Sequence, residues 1–198
     1  AGAFVQLSGV LKRIAVKLSK ICNDLRLLSS GPRAGFAEIR LPAMQPGSTI
    51  MPGKVNPVIP EVVNQVCFQV IGNDVTITLA AEAGQLQLNA FLPVVGLNLF
   101  QSLQSLESAA TVLRERCVVG IEANAERCRD FVEASIGIVT ALVPHIGYEA
   151  ASEIAQEALR SGRRVRDITL ERGLLSEEQL TDILDPRRMT RPRALLDR

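Results

Sequence analysis

The sequence is poor in aromatic side chains, which make up 4% of its residues, and its charge is nearly balanced, at +1. That material offers no basic stripe with interleaved aromatics, so nucleic acid is not an expected partner. Long apolar runs are missing as well. The longest are short and broken by charge, so no segment is expected to span a membrane. No secretory signal pattern opens the chain. There is one histidine, His145, and none of the four cysteines, Cys22, Cys67, Cys117 and Cys128, forms a Cys-x-x-Cys pair. A zinc site is therefore not expected. The cysteines read as reduced thiols packed in helices, which points to the cytoplasm. His145, beside a Pro and a Gly, reads as an ordinary structural or surface residue.

Apolar residues, at 47% of 198, are plentiful enough to bury a sizeable core and build one or two domains. Phe4, Leu7, Leu11, Ile14, Leu18, Ile21, Leu25 and Leu28 alternate spacings of three and four. This heptad seam predicts one straight helix, roughly 40 Å long, packed in a left-handed bundle. No Ser, Thr, Asp or Asn precedes it as a cap, so the helix reads as cut and the chain as a fragment. A second helix is expected after Pro60, with Glu61 in its first turn and Val63, Val66, Val70 and Ile77 on one face. Asn73 falls where that seam wants an apolar group, a placement that fixes register in bundles. Gly84 is the expected stop. Pro93 opens a third helix, with Leu99, Leu103, Leu106, Ala110, Leu113 and Cys117 as its seam and Gly120 as its end.

Val10, Val16, Leu27, Val62, Val75, Leu97 and Val112 lie off these seams. Three rods cannot cover so much apolar surface, so further helices or further subunits are expected to. After Gly120 the pattern shortens. Helices are expected from Asn124 to about Ser135, from Tyr148 to Leu159, from Arg163 to Glu171 and from Ser176 to Leu184. Ser176 and Gln179 have capping-box spacing. The basic, proline-broken tail from Arg187 is expected to be poorly ordered. Glu38 to Leu41 is the one hint of strand, read as a short hairpin arm. The fold class is thus all-α: a long-helix bundle segment over residues 1–120, part of an oligomeric helical core, then a small helical domain over 121–198.

Between the first two helices lies a loop, residues 46–57, that contains GSTIMPGKVNP. Gly47 and Gly53 permit positive φ and let backbone N–H groups approach a ligand. Pro46, Pro52 and Pro57 restrict the conformations available. Lys54 is a point charge suited to a carboxylate or phosphate, and Asn56 offers two donors and an acceptor. Ser48 and Thr49 carry hydroxyls, with no neighbouring His, Asp or Glu to form a Ser-His-Asp arrangement. The spacing is not that of a P-loop. On composition alone the segment reads as a surface connector, and only the order of its residues argues otherwise.

The order of its residues resembles the signature loop of the fumarase/aspartase superfamily, G-S-S-x-M-P-x-K-x-N-P. Gly47, Ser48, Ile50, Met51, Pro52, Gly53, Lys54, Val55, Asn56 and Pro57 match or fill free positions, and Thr49 replaces the second Ser. The segments KLSKICNDLRLLSSGPRAG (17–35), PEVVNQVCFQVIGND (60–74), EAGQLQLN (82–89) and ERGLLSE (171–177) resemble the aspartate ammonia-lyases more than their sister fumarases. The resemblance covers nearly the whole chain, yet members run to more than twice its length. It implies the carboxy-terminal portion of such an enzyme.

It also implies a chemistry, the reversible loss of ammonia from L-aspartate to give fumarate by anti elimination through an aci-carboxylate. Ser48 maps to the base. Thr49, Lys54 and Asn56 map to substrate-binding positions, with Lys54 and Asn56 holding a carboxylate. Glu61 maps to a carboxylate that orients a histidine of another subunit, and His145 does not match that histidine. Thr at 49 keeps a hydroxyl and stiffens the loop, which is expected to alter closure more than chemistry. The family pattern further implies a homotetramer whose active sites combine three subunits, no cofactor, and inactivity of this portion alone. Some members respond to divalent cations, but no carboxylate cluster in the sequence places a metal. The same loop would serve a fumarate hydratase, or persist as a relic in a non-catalytic helical oligomerisation module.

Overall fold

The apolar positions from Phe4 to Leu28 wind into one helix, α1 (Gly2–Leu28). The structure, a computed structural model, describes residues 1–191. Two further long helices follow, α2 (Val58–Glu82) and α3 (Leu92–Arg116). α2 packs against both of the others, whereas α1 and α3 touch little. The core of this unit joins Leu11, Ala15 and Cys22 to Val63, Cys67, Val70 and Ile77, and these to Val95, Leu99, Leu106 and Leu113.

The seam expected on α1 is divided. Leu11, Leu18 and Leu25 pack on the core, together with the small residues Ser8, Ala15, Ser19 and Cys22. Phe4, Leu7, Ile14 and Ile21 face outward, each more than two-fifths exposed. A heptad seam has two flanks, and α2 occupies only one of them, where small side chains admit it closely. On α3 the period is as expected, but Ser102 and Ala109 point inward while Leu103 and Ala110 are exposed. Ser102 is drawn in by Asn73, whose amide donates to its hydroxyl at 3.0 Å.

A polar layer therefore crosses the stack. Gln69 donates to Asn73 at 2.8 Å, and Asp74 accepts from Ser8 at 2.7 Å and Lys12 at 2.6 Å. Buried polar groups must be satisfied, so the pairs from α2 to α1 and to α3 hold the three helices in one register. Val58 begins α2 two residues before Pro60, which sits within the first turn, where its missing N–H costs nothing. The residue after Glu82 is Ala83, so α2 stops just short of Gly84. The end of α3 also comes earlier than Gly120, which instead closes a 3-10 turn, Val118–Gly120.

Residues 29–57 connect α1 to α2. They hold a two-residue strand, β1 (Ile39–Arg40), that pairs antiparallel with β2 (Glu122–Ala123), not with a hairpin neighbour. Asn124 adds a side-chain bond to the Ala37 carbonyl at 3.0 Å. These bonds bring the boundary of the first compact unit to Asn124, past Gly120.

The second unit starts at Ala125. It contains α4 (Ala125–Ala134), a 3-10 stretch (Ile136–Ala141), α5 (Val143–Ile146), α6 (Tyr148–Ser161), α7 (Val165–Glu171), α8 (Glu177–Ile183) and α9 (Pro186–Met189). Leu142, Ile154, Ile168 and Leu180 form its core. The capping box is formed, with Ser176 Oγ accepting from the Gln179 amide and Gln179 Oε1 from the Ser176 amide. The tail expected to be poorly ordered begins inside α9, and from residue 192 onward it lies outside the described residues. No helix among the described residues is long and apolar enough to cross a membrane.

Candidate active-site loop

The loop closes on itself at a narrow neck. The Gly47 N–H donates to the Lys54 carbonyl at 2.7 Å, and Pro46 and Val55 pair as an isolated antiparallel bridge. A Cβ on Gly47 would lie 2.8 Å from both the Asn56 nitrogen and the Lys54 carbonyl oxygen, so only glycine fits there. Asn56 adds a third link, its side-chain amide donating to the Gly47 carbonyl at 3.1 Å. At the far end Gly53 takes φ +78°, and the Lys54 N–H reaches the Met51 carbonyl at 3.3 Å.

Within this frame the chain turns tightly around Ser48. Its Oγ accepts from two backbone amides, Ile50 N at 3.1 Å and Met51 N at 3.2 Å. Ile50, 87% exposed, and the exposed Met51 and Val55 give the loop an apolar outer surface with no cover among the described residues. Thr49, Pro52, Gly53 and Lys54 are exposed too, and the Lys54 ammonium has no ion-pair partner among the described residues.

The neck leads directly into α2. The Val58 amide donates to the Asn56 carbonyl at 2.9 Å and the Glu61 amide to that of Pro57 at 3.2 Å. Glu61 occupies the first turn, where a negative charge is favoured by the helix dipole. Its carboxylate faces Arg26 of α1 at 3.9 Å. The structure thus brings Gly47, Ser48, Lys54 and Asn56 into one hydrogen-bonded frame, while Glu61 stands on the helix toward Arg26. Sequence reasoning missed Arg26. It is one charge among several on a long helix, and only the packing of α1 on α2 reveals its partner. His145 lies in the last turn of α5, in the second unit.

The comparisons agree with the geometry. A family profile described as Lyase matches residues 1–72, and one described as Fumarase C C-terminus matches residues 138–191. The aspartate ammonia-lyase of Helicobacter pylori is 66% identical over 193 residues, which is 98% of this chain and 41% of that protein. The chain belongs to the fumarase/aspartase superfamily. Among solved members of the superfamily, the fumarate lyase:delta crystallin of Brucella melitensis bound to cobalt superposes with a TM-score of 0.93 at 64% identity, covering 97% of this chain and 42% of that one. The class II fumarase of Schistosoma mansoni gives 0.86 at 39% identity, covering 96% and 40%. The chain spans about two-fifths of the length of the curated relatives it matches.

Proposed function

We propose that the full-length protein is a carbon–nitrogen lyase that interconverts L-aspartate with fumarate and ammonia, and that Ser48 is its base. The observation that carries this reading is the pair of backbone amides on Ser48 Oγ. A serine hydroxyl is too weak an acid to exist as an alkoxide at neutral pH in water. Two amide donors aimed at the oxygen favour the charged form, and exclusion of water on loop closure strengthens them.

The alkoxide takes the proton from the carbon beside one carboxylate, and the C–H electron pair moves into that carboxylate. The resulting dianion is the costly species, because two negative charges sit on one group. Lys54, whose ammonium has no ion-pair partner among the described residues, and the Asn56 amide offset that charge. Collapse of the dianion forms the C=C bond as the C–N bond on the opposite face breaks, releasing ammonia. Thr49 contributes a further hydroxyl to substrate, and Glu61 orients a histidine supplied by another subunit. Each of these steps is met by protein groups, so no cofactor is called for.

The higher identity to an aspartate ammonia-lyase, 66% against 39% for a fumarase, favours ammonia over water as the leaving group. The outward-facing stripes on α1, with Phe68, Val75 and Leu79 on α2 and Leu97 and Phe100 on α3, support a shared helical core. We take the assembly to be a homotetramer working in the cytoplasm. The test offers L-aspartate and L-malate to the full-length protein and follows fumarate by absorbance. L-Aspartate is expected to be consumed, Ser48→Ala to lower turnover by about a thousandfold, and the 198-residue chain alone to produce no fumarate. Undiminished turnover in Ser48→Ala overturns the assignment. Turnover of L-malate alone would make the enzyme a hydratase.

A further inference from the structure

The side chain of Asn56 is bonded within the loop itself. Its Nδ2 donates to the Gly47 carbonyl at 3.1 Å, and the Asn56 backbone carbonyl accepts from the Val58 amide at 2.9 Å. The Gly47 carbonyl belongs to the Gly47–Ser48 peptide, a planar unit that includes the Cα of Ser48. Asn56 therefore grips the plane from which the Ser48 side chain hangs. The grip is anchored, because the Asn56 backbone is tied to the first turn of a 25-residue helix.

We propose that Asn56 is a positioning residue for Ser48, a clasp between the start of α2 and the peptide that carries the base. This rests on the reading of Ser48 as the base. The amide nitrogen has two hydrogens. One is on Gly47 and the other is available to a substrate carboxylate, so a single group reports occupancy of the site to the peptide beside the base. The neighbouring neck bond, Gly47 N–H to the Lys54 carbonyl, depends on the same clasp, since both fix Gly47 from opposite sides of one residue.

The experiment uses the full-length assembled protein without ligand, as wild type, Asn56→Ala and Asn56→Asp. Asp keeps the size of Asn but has no donor, so it tests the clasp even where Ala disturbs folding. Hydrogen–deuterium exchange of peptides spanning residues 46–57, and trypsin cleavage after Lys54, report the neck. Loss of one hydrogen bond is expected to speed both by about five- to tenfold. With L-aspartate, kcat is expected to fall by at least about tenfold along with a rise in KM, the signature of an interaction that positions the reacting group. Exchange and cleavage at wild-type rates in both variants, with only KM raised, overturn the proposal. A wild-type protein that does not act on L-aspartate would refute the functional reading alone, because the ligand-free exchange rates decide the clasp without turnover.

Discussion

Gly47 and Lys54 meet backbone to backbone across the loop neck, with the Gly47 N–H 2.7 Å from the Lys54 carbonyl oxygen and no room for a side chain between them. The two atoms that a Cβ on Gly47 would strike are both backbone, so neither can swing aside as a flexible side chain would. Gly47→Ala is therefore expected to force the neck open and displace Ser48. A displacement of about 1 Å at a reacting group costs on the order of a hundredfold in rate. Steady-state kinetics of the full-length variant, with circular dichroism to confirm an intact helical fold, would check this. Gly53 provides the contrast. Its surroundings are open and only its φ of +78° resists a side chain, so Gly53→Ala is expected to cost about 1 kcal/mol of loop strain and a several-fold change in kinetics. Equal effects at the two positions would mean that crowding at the neck is not what selects Gly47.

Asp74 is the charged member of the polar layer, only 5% exposed. Burial pushes its pKa up, but hydrogen bonds from Lys12 and Ser8 and the charge of Lys12 outweigh it, leaving the carboxyl below its ordinary value. Of its two partners, Ser8 is buried and Lys12 is 46% exposed at its side chain. An exposed ammonium regains water when its partner is lost, whereas a buried hydroxyl is stranded. Asp74→Ala is accordingly expected to destabilise the first unit by about 2 kcal/mol, and Lys12→Ala, which leaves the buried Asp74 carboxylate without its ammonium, by about as much. The sign of the pH effect follows from the lowered pKa. Acidification protonates the unfolded carboxyl first, so this stability is present above the ordinary aspartate range and declines as pH falls through it toward the folded value. Asp74→Asn should flatten that part of the acid limb in urea melts recorded between pH 6 and the acid transition. An unchanged acid limb would rule Asp74 out as its source.

The lengths and period of the three long helices were legible because seams of three and four survive any choice of partner. Which flank of a seam is inward was not. On α1 the seam ran from Phe4 to Leu28, yet of its residues Leu11, Leu18 and Leu25 pack on the core beside Ser8, Ala15, Ser19 and Cys22, while Phe4, Leu7, Ile14 and Ile21 face outward. Close helix approach favours small side chains, and large ones are left for other neighbours. Likewise Glu38 to Leu41 showed strand character without showing its partner, which lies some eighty residues on at Glu122–Ala123. In the loop, residue order alone picked out Ser48, Lys54 and Asn56. The bond from Asn56 to Gly47 and the facing of Glu61 by Arg26 needed coordinates, since neither follows from spacing.

Cys22, Cys67 and Cys117 come from α1, the middle of α2 and the end of α3, and all three are buried in one core. Burial pushes the Cys22 thiol up to about 11, with the neighbouring Cys67 and Cys117 adding to the shift and Arg26 opposing it. Burial raises Cys67 and Cys117 as well. The thiolate is the reactive form, so two consequences follow. In the native protein at pH 8, iodoacetamide should leave these three cysteines unmodified for hours, and denaturant should expose all of them to rapid alkylation, as read by mass spectrometry of tryptic peptides. Stability should also fall on the alkaline side. Above the ordinary thiol value the unfolded chain gives up protons that the folded chain retains, so the contribution is full below about 9 and is lost progressively as pH rises toward about 11. Cys22→Ala removes the largest of these shifts at the price of a small cavity, and Cys22→Ser keeps the volume while burying a hydroxyl. The alanine variant should therefore lose less stability between pH 8 and 10 than the wild type does. Native-state alkylation of Cys22 at a rate close to that of a free thiol would show that the core around it opens far more readily than its packing implies.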